Sequence, residues 1–182
     1  ENGETGWDIG SASSAISEYF LQVEDKEIKF LIPGCGNAHE AELLLEEGFK
    51  NITLLDISPK ACEIISKKFP HAEVKVICED FFNHQGKYDV IVEQTFFCAL
   101  DPNLRKKYVK KMFDLLNEKG KIIGLLFNKD FGKTTPPFGG SVEEYQNLFE
   151  KHFEIKTLEN CYNSIKPRKN AEVFVHFIKR IH

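Results

Sequence analysis

Along the chain, short unbroken apolar runs alternate with stretches in which apolar residues recur every third or fourth position. The runs predict buried strands at residues 28–33 (IKFLIP), 51–56 (NITLLD), 73–78 (EVKVIC), 88–93 (YDVIVE) and 121–127 (KIIGLLF). The periodic stretches predict helices between them. One covers 38–47 (AHEAELLLEE) and is stopped by Gly48. A second opens at Pro59, a favoured first helical position, and runs to about Lys68. A third spans 104–117, with Asn103 as its cap and Gly120 beyond its end. Ser141, followed three residues on by Glu144, is a capping box for a helix over 142–150. Two last strands, about 153–159 and 171–178, flank the polar loop NSIKPRKN with no helix between them. A short amphipathic helix near 12–22, with Ala15, Ile16, Tyr19 and Phe20 as its apolar face, precedes the first strand.

Strand–helix alternation predicts an α/β domain: a mainly parallel sheet with helices on both faces. The helix-free final pair breaks that rule and predicts an antiparallel hairpin at the sheet edge. One domain is expected over 1–182, with residues 1–25 folding over the sheet as a cap. The 182 residues, 42% apolar and 29% charged, suffice for one real core. A net charge of −4 offers no electrostatic reason to expect nucleic acid or an anionic membrane as partner. No apolar run approaches a membrane span. The five cysteines form no C-x-x-C pair, and four lie in apolar or helical stretches, as expected of reduced core thiols in a cytoplasmic protein. Cys35 is the exception, inside a glycine turn.

In open α/β sheets, ligands sit beyond the carboxyl ends of the strands. The first strand ends in Pro33-Gly34-Cys35-Gly36-Asn37, the second in Asp56-Ile57-Ser58, the third in Glu79-Asp80-Phe81-Phe82, and the fourth in Glu93-Gln94. Asp56 follows Gly36 by twenty positions, the spacing at which an acid meets a ribose diol. A dinucleotide fingerprint needs a third glycine where this chain has His39. Glu40 and Glu42 also sit in the first helical turn, where they would oppose a pyrophosphate but not a cation. S-adenosylmethionine, with a ribose, an adenine, no phosphate and a positive sulfonium, suits this pattern. Asp80 can accept from the adenine amino group while Phe81 packs on the ring.

The strings GWDIGSASSAI, LIPGCGNAHEAELL, VEQTFFCALDPNLR and PPFGGSVEEY carry a resemblance to the thiopurine S-methyltransferase superfamily over nearly the whole chain. The chain is most similar to the halide and thiol ("harmless to ozone layer") branch. The resemblance implies a class I methyltransferase fold, Rossmann-like and seven-stranded with the last strand antiparallel. It also implies cofactor contacts from Trp7, Gly34, Gly36, Asp56, Ile57, Asp80, Phe81 and Gln94. Mammalian thiopurine enzymes carry arginine at the Gln94 position, so their activity does not carry over; Gln94 is a candidate for positioning. The branch carries further tryptophans upstream of the Trp7 position, which here would fall before Glu1.

Methyl transfer to an anion benefits from a closed apolar pocket. Phe97 and Phe131 at strand ends, and Phe138 in the loop KTTPPFGG as a lid residue, are the candidate substrate pocket. His39-Glu40 begins H-E-x-x-H, but Leu43 replaces the second histidine, and no metal is expected. In RKKYVKK the apolar residues Leu104, Tyr108, Met112 and Leu115 recur at helical spacing, so its lysines read as a solvated face. The expected function is S-adenosylmethionine-dependent methylation of a small thiol, sulfide, halide or thiopurine-like nucleophile by a monomer or weak oligomer. The alternatives are an RNA or protein methyltransferase, and a nucleotide-binding module or dehydrogenase.

Overall fold

The computed structural model describes residues 10–70 and 73–181. In chain order the elements are α1 (Ser14–Phe20), β1 (Lys29–Pro33), α2 (His39–Glu46), β2 (Asn51–Asp56), α3 (Pro59–Lys68), β3 (Val74–Cys78), β4 (Tyr88–Gln94), α4 (Arg105–Leu115), β5 (Leu116–Phe127), α5 (Val142–Phe149), β6 (Phe153–Asn160) and β7 (Glu172–Lys179). All seven strands form one sheet in the order β3-β2-β1-β4-β5-β7-β6. The first five run parallel, and β7 is antiparallel to both its neighbours. The final pair is thus a hairpin, as expected, but its second strand inserts beside β5 and leaves β6 as the edge.

Successive residues of a strand point to opposite faces, and the continuous apolar runs serve two cores. Leu31, Ile91, Leu126 and Val173 pack with Tyr108 and Met112 of α4 and with Tyr145 and Phe149 of α5. On the other face Phe30, Ile32, Leu54 and Val90 pack with Ile16 and Phe20 of α1, Leu44 of α2 and Ile65 of α3. Tyr19 of α1 lies at the margin, edge-on to His176 at 5.5 Å.

Some sequence expectations shift for local reasons. The third helix is shorter than its periodicity predicts, because Leu116 already belongs to β5 and pairs with Tyr88. Asn103 is not its cap. Asp101, just before Pro102, accepts from the Asn103 N–H at 2.8 Å and starts a short 3-10 turn that leads into α4. The Ser141 hydroxyl accepts from the Glu144 N–H at 3.2 Å, but the Glu144 carboxylate turns away from the reciprocal bond and pairs with Arg105. Cys78 is exposed at the end of β3, whereas Cys35, Cys62, Cys98 and Cys161 are buried, and all five are free thiols. The connection from β3 to β4 has no helix. His84, 2% exposed, holds it by taking Glu79 on Nδ1 at 2.5 Å and the Tyr88 hydroxyl on Nε2 at 2.7 Å. Among the described residues, no helix is long and apolar enough to cross a membrane.

Candidate active site

The glycine turn after β1 is built from left-handed residues: Gly34 at φ 59°, Gly36 at φ 51° and Ala38 at φ 55°. Its two glycines serve different needs. A methyl on Gly34 would lie 2.3 Å from the ring of Phe96, so Gly34 is bare because the turn after β4 presses against it. A methyl on Gly36 would meet nothing within 4 Å, so Gly36 is open toward a ligand. The Gly34 N–H donates to the Leu55 carbonyl at 2.7 Å and ties the turn to β2. From α3, Lys68 donates to the Asn37 carbonyl at 2.7 Å and pairs with Glu42 at 3.0 Å. His39 Nδ1 lies 3.3 Å from the same Glu42 carboxylate.

Beyond this turn lies a cavity of about 540 Å³, lined among others by Gly34, Gly36, Asp56, Ile57 and Gln94. Five of the candidate positions therefore converge. Asp56 is half-buried; its Oδ1 accepts from the Ser58 N–H at 2.9 Å and its Oδ2 from the Gly36 N–H at a long 3.4 Å. A carboxylate has about four acceptor sites, so capacity remains for a further pair of donors. The helix cap is Ser58, whose hydroxyl accepts from the Ala61 N–H, and Asp56 is spared that role. Ile57, 69% exposed, offers an apolar plate at the rim. Gln94 Oε1 is buried and has no hydrogen-bond partner among the described residues. Glu40, 6% exposed, also lines the cavity, whereas Glu42 does not, so of the two first-turn acids only Glu40 faces it. Burial first, and the neighbouring Asp56 charge second, push the Cys35 thiol up to about 12, which leaves it a poor nucleophile.

Other candidates lie elsewhere. Asp80 and Phe81 are absent from the cavity lining. Asp80 Oδ1 accepts from the Phe82 N–H at 2.7 Å, and Phe81, 5% exposed, packs on Phe96 at 5.1 Å behind the site. Phe97 is a correction: it is 1% exposed and sits in the core between Tyr108 and Tyr145, because the turn points Phe96 toward Gly34 and its neighbour the other way. Phe131 meets Phe127 edge-on at 5.1 Å, outside the cavity lining. Phe138 lines a separate cavity of about 560 Å³ with Arg105 and Asn128, and its N–H donates to the Cys98 carbonyl at 2.7 Å. Trp7 lies outside the described residues.

Sequence reasoning placed Glu93 at a strand end without a role. In the fold it is fully buried beneath the cavity, accepting from the Phe96 and Phe97 N–H groups at 2.9 Å each and from the Tyr108 hydroxyl at 2.5 Å. Burial pushes its carboxyl up to about 7, against the lowering pull of Tyr108 and the two backbone N–H groups. Between about pH 4.5 and 7 the unfolded chain releases this proton while the folded chain keeps it, so stability falls as pH rises through that window. Denaturant unfolding at pH 5 and pH 8 should show the wild type losing up to about 3 kcal/mol relative to Glu93→Gln over that window. A wild-type-to-variant difference independent of pH would contradict this.

Known proteins resemble this chain in sequence and in fold. The thiopurine S-methyltransferase (TPMT) family model matches residues 1–180. The chain is 32% identical to a probable thiol methyltransferase 2 of Arabidopsis thaliana, over 94% of this chain and 79% of the relative. It is 28% identical to thiocyanate methyltransferase 1 of Brassica oleracea, with the same coverage of 94% and 79%. Among solved structures, the fold resembles a Burkholderia thailandensis 1,6-didemethyltoxoflavin-N1-methyltransferase with bound S-adenosylhomocysteine, with a TM-score of 0.73 at 15% identity, covering 97% of this chain and 83% of that one. The chain belongs to the thiopurine S-methyltransferase family and is a class I, S-adenosylmethionine-dependent methyltransferase.

Proposed function

We propose that the 540 Å³ cavity binds S-adenosylmethionine and that the acceptor is a small sulfur nucleophile, a thiol or a thiocyanate-like anion. The convergence of Gly34, Gly36, Asp56, Ile57 and Gln94 on one cavity carries this reading. The relatives named for thiol and thiocyanate methylation support the acceptor class. The residues present suit the cofactor. Asp56 retains acceptor capacity for a ribose diol, Ile57 offers an apolar surface to an adenine, and Gly36 leaves the backbone bare. Gln94 Oε1 is an acceptor without a partner among the described residues, and Glu40 is an acid of the sign a sulfonium requires. Phe81 backs the adenine side through Phe96, and Ser11, ahead of α1, lines the same cavity. The five free thiols suit a reducing, cytoplasmic compartment.

The cofactor supplies a methyl group activated by a positive sulfonium. The protein's part is to hold the acceptor in line, about 3 Å from that carbon, and to strip water from an anionic nucleophile. A thiolate needs little general-base help, and the high-lying Cys35 thiol does not compete with it as a nucleophile.

The test is methyl transfer from labelled cofactor to a panel of thiols, bisulfide, thiocyanate, iodide and thiopurines, with RNA and protein as comparison acceptors. Product with a small sulfur nucleophile is expected. Transfer to RNA or protein alone would overturn the acceptor class. Calorimetry should show S-adenosylhomocysteine binding in preference to a dinucleotide; the reverse order would remove the cofactor placement.

A further inference from the structure

We propose that Glu93 is a positioning residue for the cofactor: its buried carboxylate staples the turn after β4 and, through Phe96, holds the glycine turn in its binding shape. This rests on the reading of the cavity as the cofactor site. Glu93 Oε1 accepts two consecutive backbone N–H groups, Phe96 and Phe97, both at 2.9 Å. That pair closes the turn in which Thr95 adopts a left-handed φ of 61°, a conformation unfavourable for a β-branched residue and so in need of external support. The closed turn sets the Phe96 ring against bare Gly34, where even one added methyl would collide at 2.3 Å. Phe96 and Thr95 themselves line the cavity beside Gln94. The chain of contact therefore runs from a buried acid to the backbone of the glycine turn without Glu93 reaching the ligand.

A carboxylate suits this task better than a neutral group, because charge-assisted bonds to N–H are about twice as strong as neutral ones. The titratable groups that interact with it are Tyr108 of α4, Cys98 of the turn itself and Tyr145 of α5, while Arg105 of α4 lies over the Phe97 ring at 4.8 Å and acts on Cys98 and Tyr145. Of these only Tyr108 bonds the carboxylate directly, at Oε2. Ionised Glu93 holds the turn more tightly than its protonated form, and the cofactor is expected to bind more tightly as pH rises through about 7.

The experiment is calorimetric titration of S-adenosylhomocysteine into the wild type, Glu93→Gln, Glu93→Leu and Tyr108→Phe from pH 5.5 to 8.5, with circular dichroism to confirm folding. Wild-type affinity should rise severalfold across the range. Glu93→Leu should bind at least about 10-fold more weakly at pH 8, since it leaves two N–H groups without their acceptor. Glu93→Gln, which can still accept both N–H groups, should bind more tightly than Glu93→Leu and show no inflection near pH 7. Tyr108→Phe removes a bond that favours the ionised acid, so its inflection should move to higher pH. Folded Glu93→Leu with wild-type affinity overturns the proposal. So does an inflection surviving in Glu93→Gln, which would belong to a group other than Glu93. Absence of binding by the wild type overturns the cofactor reading itself, and this inference with it.

Discussion

Asp56→Ala is expected to weaken S-adenosylhomocysteine binding by about 10- to 100-fold while the protein remains folded. Hydrogen bonds to a charged acceptor contribute about 1.5–3 kcal/mol, and each 1.4 kcal/mol is about tenfold in affinity. Asp56 carries two bonds of its own fold, to the Ser58 and Gly36 N–H groups, the second at 3.4 Å and weak. The structural loss on truncation is therefore about one part-buried turn bond, well short of unfolding. Asp56→Asn separates the two contributions. Its amide oxygen can still accept from Ser58, but it loses the charge and the second acceptor oxygen, so its affinity should fall between those of the wild type and the alanine variant. Calorimetry measures both, and thermal denaturation checks the fold. An alanine variant that binds like the wild type would remove Asp56 from the ribose.

The features legible from the chain are those written in local spacing. Continuous apolar runs mark strands buried on both faces, and Phe30-Leu31-Ile32 serves both cores as such a run must. The glycine turn and the acid twenty positions on both face one cavity, since a strand, a helix and a second strand of ordinary length bring them there. What stayed hidden depends on long-range pairing. Nothing in the final hairpin says that its second strand, and not its first, joins β5. Phe96 and Phe97 are indistinguishable as residue types, yet the turn sends one to the cavity and the other to the core. Lys68 reads as one more cation at a helix end, until packing places it on the Asn37 carbonyl. Asp80 has the composition of a ligand residue but spends its oxygens on its own turn: Oδ1 on the Phe82 N–H and its carbonyl on Asn83 and His84. A carboxylate at a strand end can line the cavity, as Asp56 does, or lie buried in the turn, as Glu93 does. Sequence alone does not separate the two, because both accept backbone N–H groups and the difference is burial, complete for Glu93 and partial for Asp56.

Gly124→Ala is expected to be the most destabilising single-methyl change in the sheet, costing about 3 kcal/mol or more. Gly124 lies in the middle of β5, paired with Glu93 on one side and Val175 on the other. A methyl there would sit 1.9 Å from the Glu93 carbonyl oxygen and 2.8 Å from its Cβ. The first contact is backbone in a central parallel strand, so no rotamer change relieves it, and relief must come from parting β4 from β5. Overpacking a core ordinarily costs about 1–3 kcal/mol, and a backbone collision lies at or beyond the top of that range. For a chain of this size it should lower the melting temperature by about 6–12 °C. Gly36→Ala is the matched control, because its methyl enters open space and its cost is the left-handed conformation alone, about 1–2 kcal/mol. The two variants should also divide in kind. Gly36→Ala places its methyl on the open side of the turn, toward the cavity, so it should affect ligand binding more than stability. Gly124→Ala moves the strand that carries Glu93 and Gln94, so it should lower both together. Equal melting temperatures for Gly124→Ala and the wild type would show that β4 and β5 lie farther apart than this packing requires.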